Sequence, residues 1–394
     1  MKILLACGKH QYGHEARGEG TEYSAFIPAL ERLGHHVRHF ETHARRQGSD
    51  FAELNRKFVS ELFTFEPDIT IVVPFLYELW TETLDIARRF SKLGSICWTT
   101  DDSWKYRQSS RFLAPYFGLV TTTYPHIVPQ YKDDGHRNVI LTQWAARKEL
   151  LSEPLPGDSC TWSVTFVGQA FGDRRRRVAA LAKAGIEVQC FGFGWPAGPV
   201  TEGQMHEIFR RSVISLGFTN SRGANQIKAR TFEVPGAGGF LLTQEAPGLD
   251  HFYARGEEIA VFRGDHDLKG LIAHYMAHPA ERDRMAMAGF RRTLREHTYD
   301  ARWLEIMAVL KPSQDLIDGF EASRVLKQAC QRHARKKTLD FFGKILVSLF
   351  LPIFGRVRAR RAARRLVFEC SWRLFGGKTY AAAGWPGRLF YSES

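Results

Sequence analysis

At 394 residues, with 44% hydrophobic and 25% charged residues, the chain has the composition of a globular protein of two or three domains, which excludes a disordered or fibrous one. Its net charge of +13 is concentrated at one end: residues 311–394 hold 17 Lys and Arg against 6 Asp and Glu, whereas residues 1–310 hold 38 against 36. The body is therefore nearly neutral, and a pI of about 9.5 does not mark the whole chain as a nucleic-acid binder.

The first part alternates strand and helix. Lys2–Ala6 is an apolar run ending at Gly8 and predicts a buried strand. The Leu-Leu-Ala-Cys7 pattern resembles a lipoprotein cleavage box, but only six residues precede Cys7, fewer than the roughly 7–15 of a signal's apolar region. Glu22–Leu33 has helical spacing and stops at Gly34; His36–Phe40 alternates like a strand. Phe51–Phe65 is helical up to Pro67, and the β-branched Ile69–Val73 is the clearest strand. Thr81–Leu93 is helical and stops at Gly94, and Ile96–Thr100, Leu119–Thr122 and Val139–Thr142 are further strands. Repeated βα units predict a parallel sheet covered on both faces.

Ser152–Ser159, rich in Pro, Gly and Ser, reads as an interdomain linker. The alternation then restarts with strand Ser163–Val167, helix Arg174–Lys183, strand Glu187–Phe191, helix Met205–Arg211, and strands Val213–Phe218, Phe240–Thr243 and Ile259–Phe262. Helices follow from Asp265, over Pro279–Glu296 and over Tyr299–Leu310. The expected fold class is α/β, with two Rossmann-like domains (residues 1–150 and 158–310) facing a cleft and ligands at the carboxyl ends of the strands.

Residues 311–394 read as a separate, basic, amphipathic tail. Phe341–Phe354 is strongly apolar but shorter than the roughly 20 residues of a membrane span. Arg356, Arg358, Arg360, Arg361, Arg364 and Arg365 follow, then Phe368, Trp372, Phe375, Tyr380, Trp385, Phe390 and Tyr391. Over residues 336–394 this pattern points to an interfacial anchor on an anionic membrane; the alternative is a helix packed on the body with a solvated basic face. None of the six cysteines forms a CxxC pair, which fits free thiols in a reducing cytoplasm and argues against a zinc or redox site.

The most informative segment is Lys228–Thr243. Lys228 and Arg230 can neutralise a diphosphate, Glu233 can accept hydrogen bonds from a ribose diol, and Gly236, Gly238 and Gly239 leave room for close backbone approach. A helix starting there would also turn amides toward phosphate; the alternative is a surface helix with a tight turn into a strand. Asp101 and Asp102 close a strand where one carboxylate could serve as base, or both could cap a helix. The loop Gly8–Gly20 places His10, His14, Glu15 or Glu19 at the same edge, with His14 a candidate for catalysis. Gly376–Thr379 lacks the context of a Walker loop, and Asp265-His-Asp267 opens a helix as a cap would, so no metal site is expected.

Residues 1–310 resemble the CgeB-like, spore-maturation-type bacterial glycosyltransferases, a family with the two-Rossmann GT-B fold. The resemblance rests on Trp98–Asp102, Leu141–Ala145, Phe166-Val-Gly168-Gln, Ile214–Phe218, Gln226–Pro235 with Gly238-Gly239, and Glu296–Tyr299. It implies a nucleotide-diphosphate sugar as donor substrate, no cofactor, and an acceptor on the first domain. Donor contacts would come from Gly168, Gln226, Lys228, Arg230, Glu233, Gly238 and Gly239. Glu233 is similar to the second glutamate of the Glu-x7-Glu motif of retaining relatives, whereas Asn225 stands at the first position. The rival readings are a nucleotide-sugar epimerase on the same scaffold and a catalytically silent coat or surface protein.

Overall fold

The computed structural model describes residues 1–43, 50–219, 225–334 and 337–390. Lys336 and Tyr391, near the ends of the expected anchor, lie outside them. The chain forms two compact units, Met1–Leu141 with Ile306–Ser394, and Thr142–Glu305.

The first unit begins with β1 (Lys2–Cys7), α1 (Thr21–Arg32), β2 (His36–Glu41), α2 (Phe51–Phe65), β3 (Ile69–Val72), α3 (Thr81–Phe90), β4 (Ser95–Trp98), α4 (Asp102–Lys105), β5 (Leu119–Thr122), α5 (Ile127–Asp133) and β6 (Val139–Leu141). The strands make a parallel sheet in the order β2-β1-β3-β4-β5-β6. β3, β4 and β5 are buried at every residue, as strands between two helix layers must be. α2 shows why such helices form. Asp50 caps it by accepting from the Glu53 amide at 2.9 Å. Phe51, Leu54, Phe58, Leu62 and Phe65 then recur at helical spacing and are buried, each contributing about 2 kcal/mol.

The second unit contains β7 (Trp162–Val167), α6 (Arg174–Lys183), β8 (Gln189–Phe191), α7 (Glu202–Arg210), β9 (Ser212–Gly217), α8 (Arg230–Gly236), β10 (Leu241–Gln244), β11 (Ala260–Phe262), α9 (Asp265–Ala277), α10 (Pro279–Glu296) and the start of α11 (Tyr299–Ala308). Its parallel sheet runs β11-β10-β9-β7-β8.

The Ser152–Ser159 segment is not a free linker. The Ser152 amide donates to Gly236 O at 3.0 Å, and the Gly157 amide to Asp283 Oδ1 at 3.2 Å. The buried Arg282 guanidinium ties Leu155 O to Ser212 O and Val213 O at the start of β9. Proline and glycine here shape a strap held on the second unit, and the boundary between units falls earlier, at Leu141.

Residues 311–394 are likewise no separate tail; they complete the first unit. α12 (Gly319–His333) lies beside α2 and α3, fastened by Arg88–Asp315 (2.8 Å) and Arg89–Glu321 (3.1 Å). α13 (Lys337–Phe375) follows and is broken at Gly355. Phe368, Tyr380 and Ala382 join the core formed by Tyr77, Trp80 and Leu113. Phe368, Tyr380 and Phe390, expected at a membrane interface, are buried instead, because the first unit has apolar surface for them to cover.

Candidate functional site

The second sheet reverses its winding between β7 and β9, and a ligand of such a sheet sits beyond the carboxyl ends of those two strands. Two guanidiniums are anchored there. Arg174, the first residue of α6, donates Nη1 to Gln169 O (3.0 Å) after β7 and Nη2 to Phe218 O (3.4 Å) after β9, with its Cζ 5.3 Å from the Phe166 ring centroid. Arg230 donates Nε to Val167 O at 3.3 Å and lies 5.6 Å from the Phe209 ring centroid. Burial lowers the affinity of the Arg174 guanidinium for its proton, and the neighbouring Arg230 charge lowers it further.

Gln226 is buried, its amide donating to Thr219 O at 2.9 Å; its Oε1 accepts from Lys228 Nζ at 2.7 Å. The ideal Cβ position of Gly168 is 2.9 Å from the Phe166 ring and 3.5 Å from Arg174 Nη1, so a side chain there would press on the ring against which Arg174 lies. Gly168, Gln226, Lys228 and Arg230 thus share one edge. Two guanidiniums and an ammonium held together by backbone carbonyls and one amide side chain suit a diphosphate.

Glu233, one turn along α8, pairs with Arg230 Nη1. It also borders a narrow crevice lined by Ala146, Arg147, Glu202, Met205 and His206. Burial pushes the Glu202 carboxyl up; its ion partner Arg147 pulls it down, and Glu233 raises it again. The amides of Thr231, Phe232 and Glu233 are already spent on the carbonyls of Lys228 and Ala229. An anion at this edge would therefore be met mainly by side chains, contrary to the helix-terminus expectation. Asn225 donates Nδ2 to Glu245 O at 2.9 Å, as a neutral amide can and a glutamate could not.

The glycines 236, 238 and 239 do not open space for a ligand. A Cβ on Gly238 (φ 77°) would stand 2.6 Å from Ser152 O, one on Gly239 2.6 Å from Phe209 O, and one on Gly236 2.6 Å from Ala146 Cβ. The close approach they permit is that of the Ser152–Pro154 strap and of the end of α7.

In the first unit, Asp102 is not available as a catalytic base. It is 1% exposed, with Oδ2 accepting from Thr99 Oγ1 (2.7 Å) and Tyr131 OH (3.1 Å), and Oδ1 from Ser110 Oγ (2.6 Å). Burial raises its pKa, against the pull of those hydroxyls. Asp101 is exposed and sits in the left-handed region (φ 57°), where it accepts the Trp104 and Lys105 amides on its carbonyl. His14 is exposed between two short 3-10 turns, Gln11–Gly13 and Glu15–Arg17.

Sequence reasoning passed over Glu22 and Arg174. Glu22, in the first turn of α1 after Gly20, has its carboxyl pushed up by burial, pulled down by Lys105 and raised again by Asp101. It read only as a helix start. Arg174 was hidden in the run Arg174–Arg177, which looks like a solvated face; its position five residues after the Gly168-Gln169 turn is the signal that could have found it.

Residues 174–308 match a family model described as glycosyl transferase-like. No curated protein matches the chain in sequence. Among solved structures, a sucrose-phosphate synthase from Thermosynechococcus elongatus aligns with 78% of this chain and 98% of its own, with a TM-score of 0.54 and 12% identity. HepE of Anabaena, solved with UDP and glucose, aligns with 78% of this chain and 99% of its own, at the same TM-score and identity. The catalytic domain of starch synthase IV from Arabidopsis thaliana, bound to ADP and acarbose, aligns with 82% and 99%, with a TM-score of 0.52 and 8% identity. Residues 174–308 are thus glycosyl transferase-like in sequence, and the two parallel-sheet units have the GT-B fold of these matched enzymes.

Proposed function

We propose that the protein transfers a sugar from a nucleotide-diphosphate donor to a hydroxyl-bearing acceptor, as a cytoplasmic enzyme of the CgeB-like kind working peripherally on the inner face of a membrane. The observation that carries this reading is the convergence of Arg174, Lys228 and Arg230 at the reversal point of the second sheet, with Glu233 beside them. In this reading the cations stabilise the departing nucleoside diphosphate, whose charge grows as the glycosidic bond breaks. Glu233 exchanges Arg230 for the ribose hydroxyls when the donor enters. No cofactor or metal is assigned to the step, because these side chains take up the diphosphate charge. Asp101 is the acceptor-side base, with Glu22 beside Lys105 and the exposed His14 as the other candidates.

UDP is the first nucleotide to test, since HepE of Anabaena was solved with it. Calorimetric titration with UDP, GDP, TDP and ADP, followed by incubation with the matching sugar nucleotides, examines binding and turnover separately. The expected result is tight binding of one diphosphate and release of that diphosphate only when an acceptor is added. An isomerised sugar nucleotide formed without acceptor would identify an epimerase instead, and absence of binding to any nucleotide would refute the enzyme reading altogether.

A further inference from the structure

α13 reverses at Gly355 (φ 68°, ψ 169°), so its two arms form a helical hairpin. On the first arm Leu346, Val347 and Phe350 pack on Ala363 and Val367 of the second arm and on Phe390. The same arm carries a second apolar stripe facing water: Phe342, Ile345, Leu349 and Ile353, spaced by three, four and four residues, are 59%, 40%, 65% and 73% exposed. Phe341 and Phe354 widen it. On the second arm Arg356, Arg358, Arg361 and Arg365 are exposed. Between Phe341 and Phe368 the chain has seven cations and no carboxylate.

A helix that is apolar on two faces lacks a partner for one of them. The chemistry of the fringe narrows the choice. A nucleic acid offers phosphates but no apolar bed for Leu349 and Ile353. A second copy of the hairpin would bring seven more cations against these seven. An anionic lipid surface supplies both halves, acyl chains for the stripe and phosphates for the arginines. Among the described residues no helix is long and apolar enough to cross a membrane. Phe341–Phe354 spans about 21 Å at 1.5 Å per residue, against about 30 Å of hydrocarbon core.

We propose that the hairpin of residues 341–365 docks the protein flat on an anionic bilayer. Leu349, Ile353 and Phe354 enter the acyl boundary, and Arg356, Arg358, Arg361 and Arg365 meet lipid phosphates. This rests on the peripheral location already proposed and specifies its residues and its lipid. The test is co-sedimentation of the full chain with phosphatidylcholine vesicles, with and without phosphatidylglycerol. The chain should pellet only with the anionic vesicles. Arg358→Ala/Arg361→Ala should weaken partitioning roughly 25-fold, at roughly fivefold per arginine, and Leu349→Asp/Ile353→Asp should abolish it. Both variants should keep the parental melting temperature and nucleotide affinity, which shows that they fold. Equal binding to neutral vesicles, undiminished binding by the Asp variant, or a protein that stays in the supernatant overturns the proposal. So does a lipid-free dimer, seen by light scattering, that Ile353→Asp dissolves. A chain that binds nucleotide but no vesicle refutes docking alone; one that binds vesicles but no nucleotide refutes sugar transfer alone.

Discussion

Single side chains carry the strongest predictions. Arg174 reaches two carbonyls on either side of the sheet's reversal point, and a charge-assisted contact of this kind is worth about 1.5–3 kcal/mol. Arg174→Met should therefore weaken nucleoside diphosphate binding by roughly 10–100-fold and leave the affinity for the nucleoside unchanged. Calorimetry with both ligands checks this; an equal loss for both would mean that Arg174 only holds the loops. Glu233→Ala should weaken nucleoside and diphosphate alike if the carboxylate binds ribose, and diphosphate alone if it merely steadies Arg230. The two aspartates should separate cleanly. Asp102→Ala strands the Ser110 and Tyr131 hydroxyls, while Thr99 Oγ1 keeps Thr121 O, and should cost about 2–4 kcal/mol of stability in urea titrations. Asp101→Asn, at a position whose left-handed backbone asparagine tolerates, should keep stability and cut turnover about 100-fold or more. Full turnover in both Asp101→Asn and Glu22→Gln would remove both from the acceptor step. His297 makes stability depend on pH. Its Nε2 donates to Phe252 O at 2.7 Å and its Nδ1 accepts from Arg302 Nη2 at 3.1 Å, so the fold holds it neutral. Burial pushes its pKa down to about 4. With an unfolded value of about 6.5, the unfolded chain takes the proton first. His297's contribution is therefore full above about pH 6.5 and is lost as pH falls toward 4, by about 3 kcal/mol at most. Urea midpoints at pH 7 and pH 5 should differ more for the parent than for His297→Gln.

At the scale of elements, the reading of helices and strands succeeded where burial is one-sided or complete. Phe51–Phe65, Arg174–Lys183 and Pro279–Glu296 run between the expected residues: Asp50 caps the first, Gly185 follows the second as a stop, and Pro279 opens the third. Strand ends slipped by one or two residues, the helical run after Asp101 was read only as the capping alternative, and α5 went unread, since their few buried residues leave no long period. The binding edge was half readable. Lys228, Arg230 and Glu233 stood out as residue types, whereas Arg174 became visible only when the strands of the second unit brought the loops after β7 and β9 together. The glycines misled for a physical reason: a sequence cannot say whether the room beside a glycine is taken by a ligand or by the protein. Gly238→Ala would drive a Cβ against the Ser152–Pro154 backbone at a positive φ. It should cost at least about 1–3 kcal/mol, seen as a lower melting temperature. A stable Gly238→Ala protein with weakened nucleotide binding would return that glycine to the ligand.

At the scale of the molecule, the uneven charge was readable but its meaning was not. The basic segment looked detachable, yet His333 Nδ1 donates to Ala382 O at 3.0 Å and its ring lies tilted 4.7 Å from that of Trp80, and Tyr380 reaches Gln108 O, all within the first unit. Truncation after residue 336 should therefore expose the Tyr77–Trp80 core and destabilise the first unit by several kcal/mol. Loss of vesicle binding in such a truncation would not isolate the hairpin, which is why surface variants are the cleaner probe. The central claim concerns the second unit, and it is tested most directly by titrating the purified full chain with each nucleoside diphosphate and its nucleoside. The account predicts that one diphosphate binds at least roughly 100-fold tighter than its nucleoside, a margin that Arg174→Met and Arg230→Met each shrink. Equal affinity for the pair, or a margin that survives both substitutions, would contradict it.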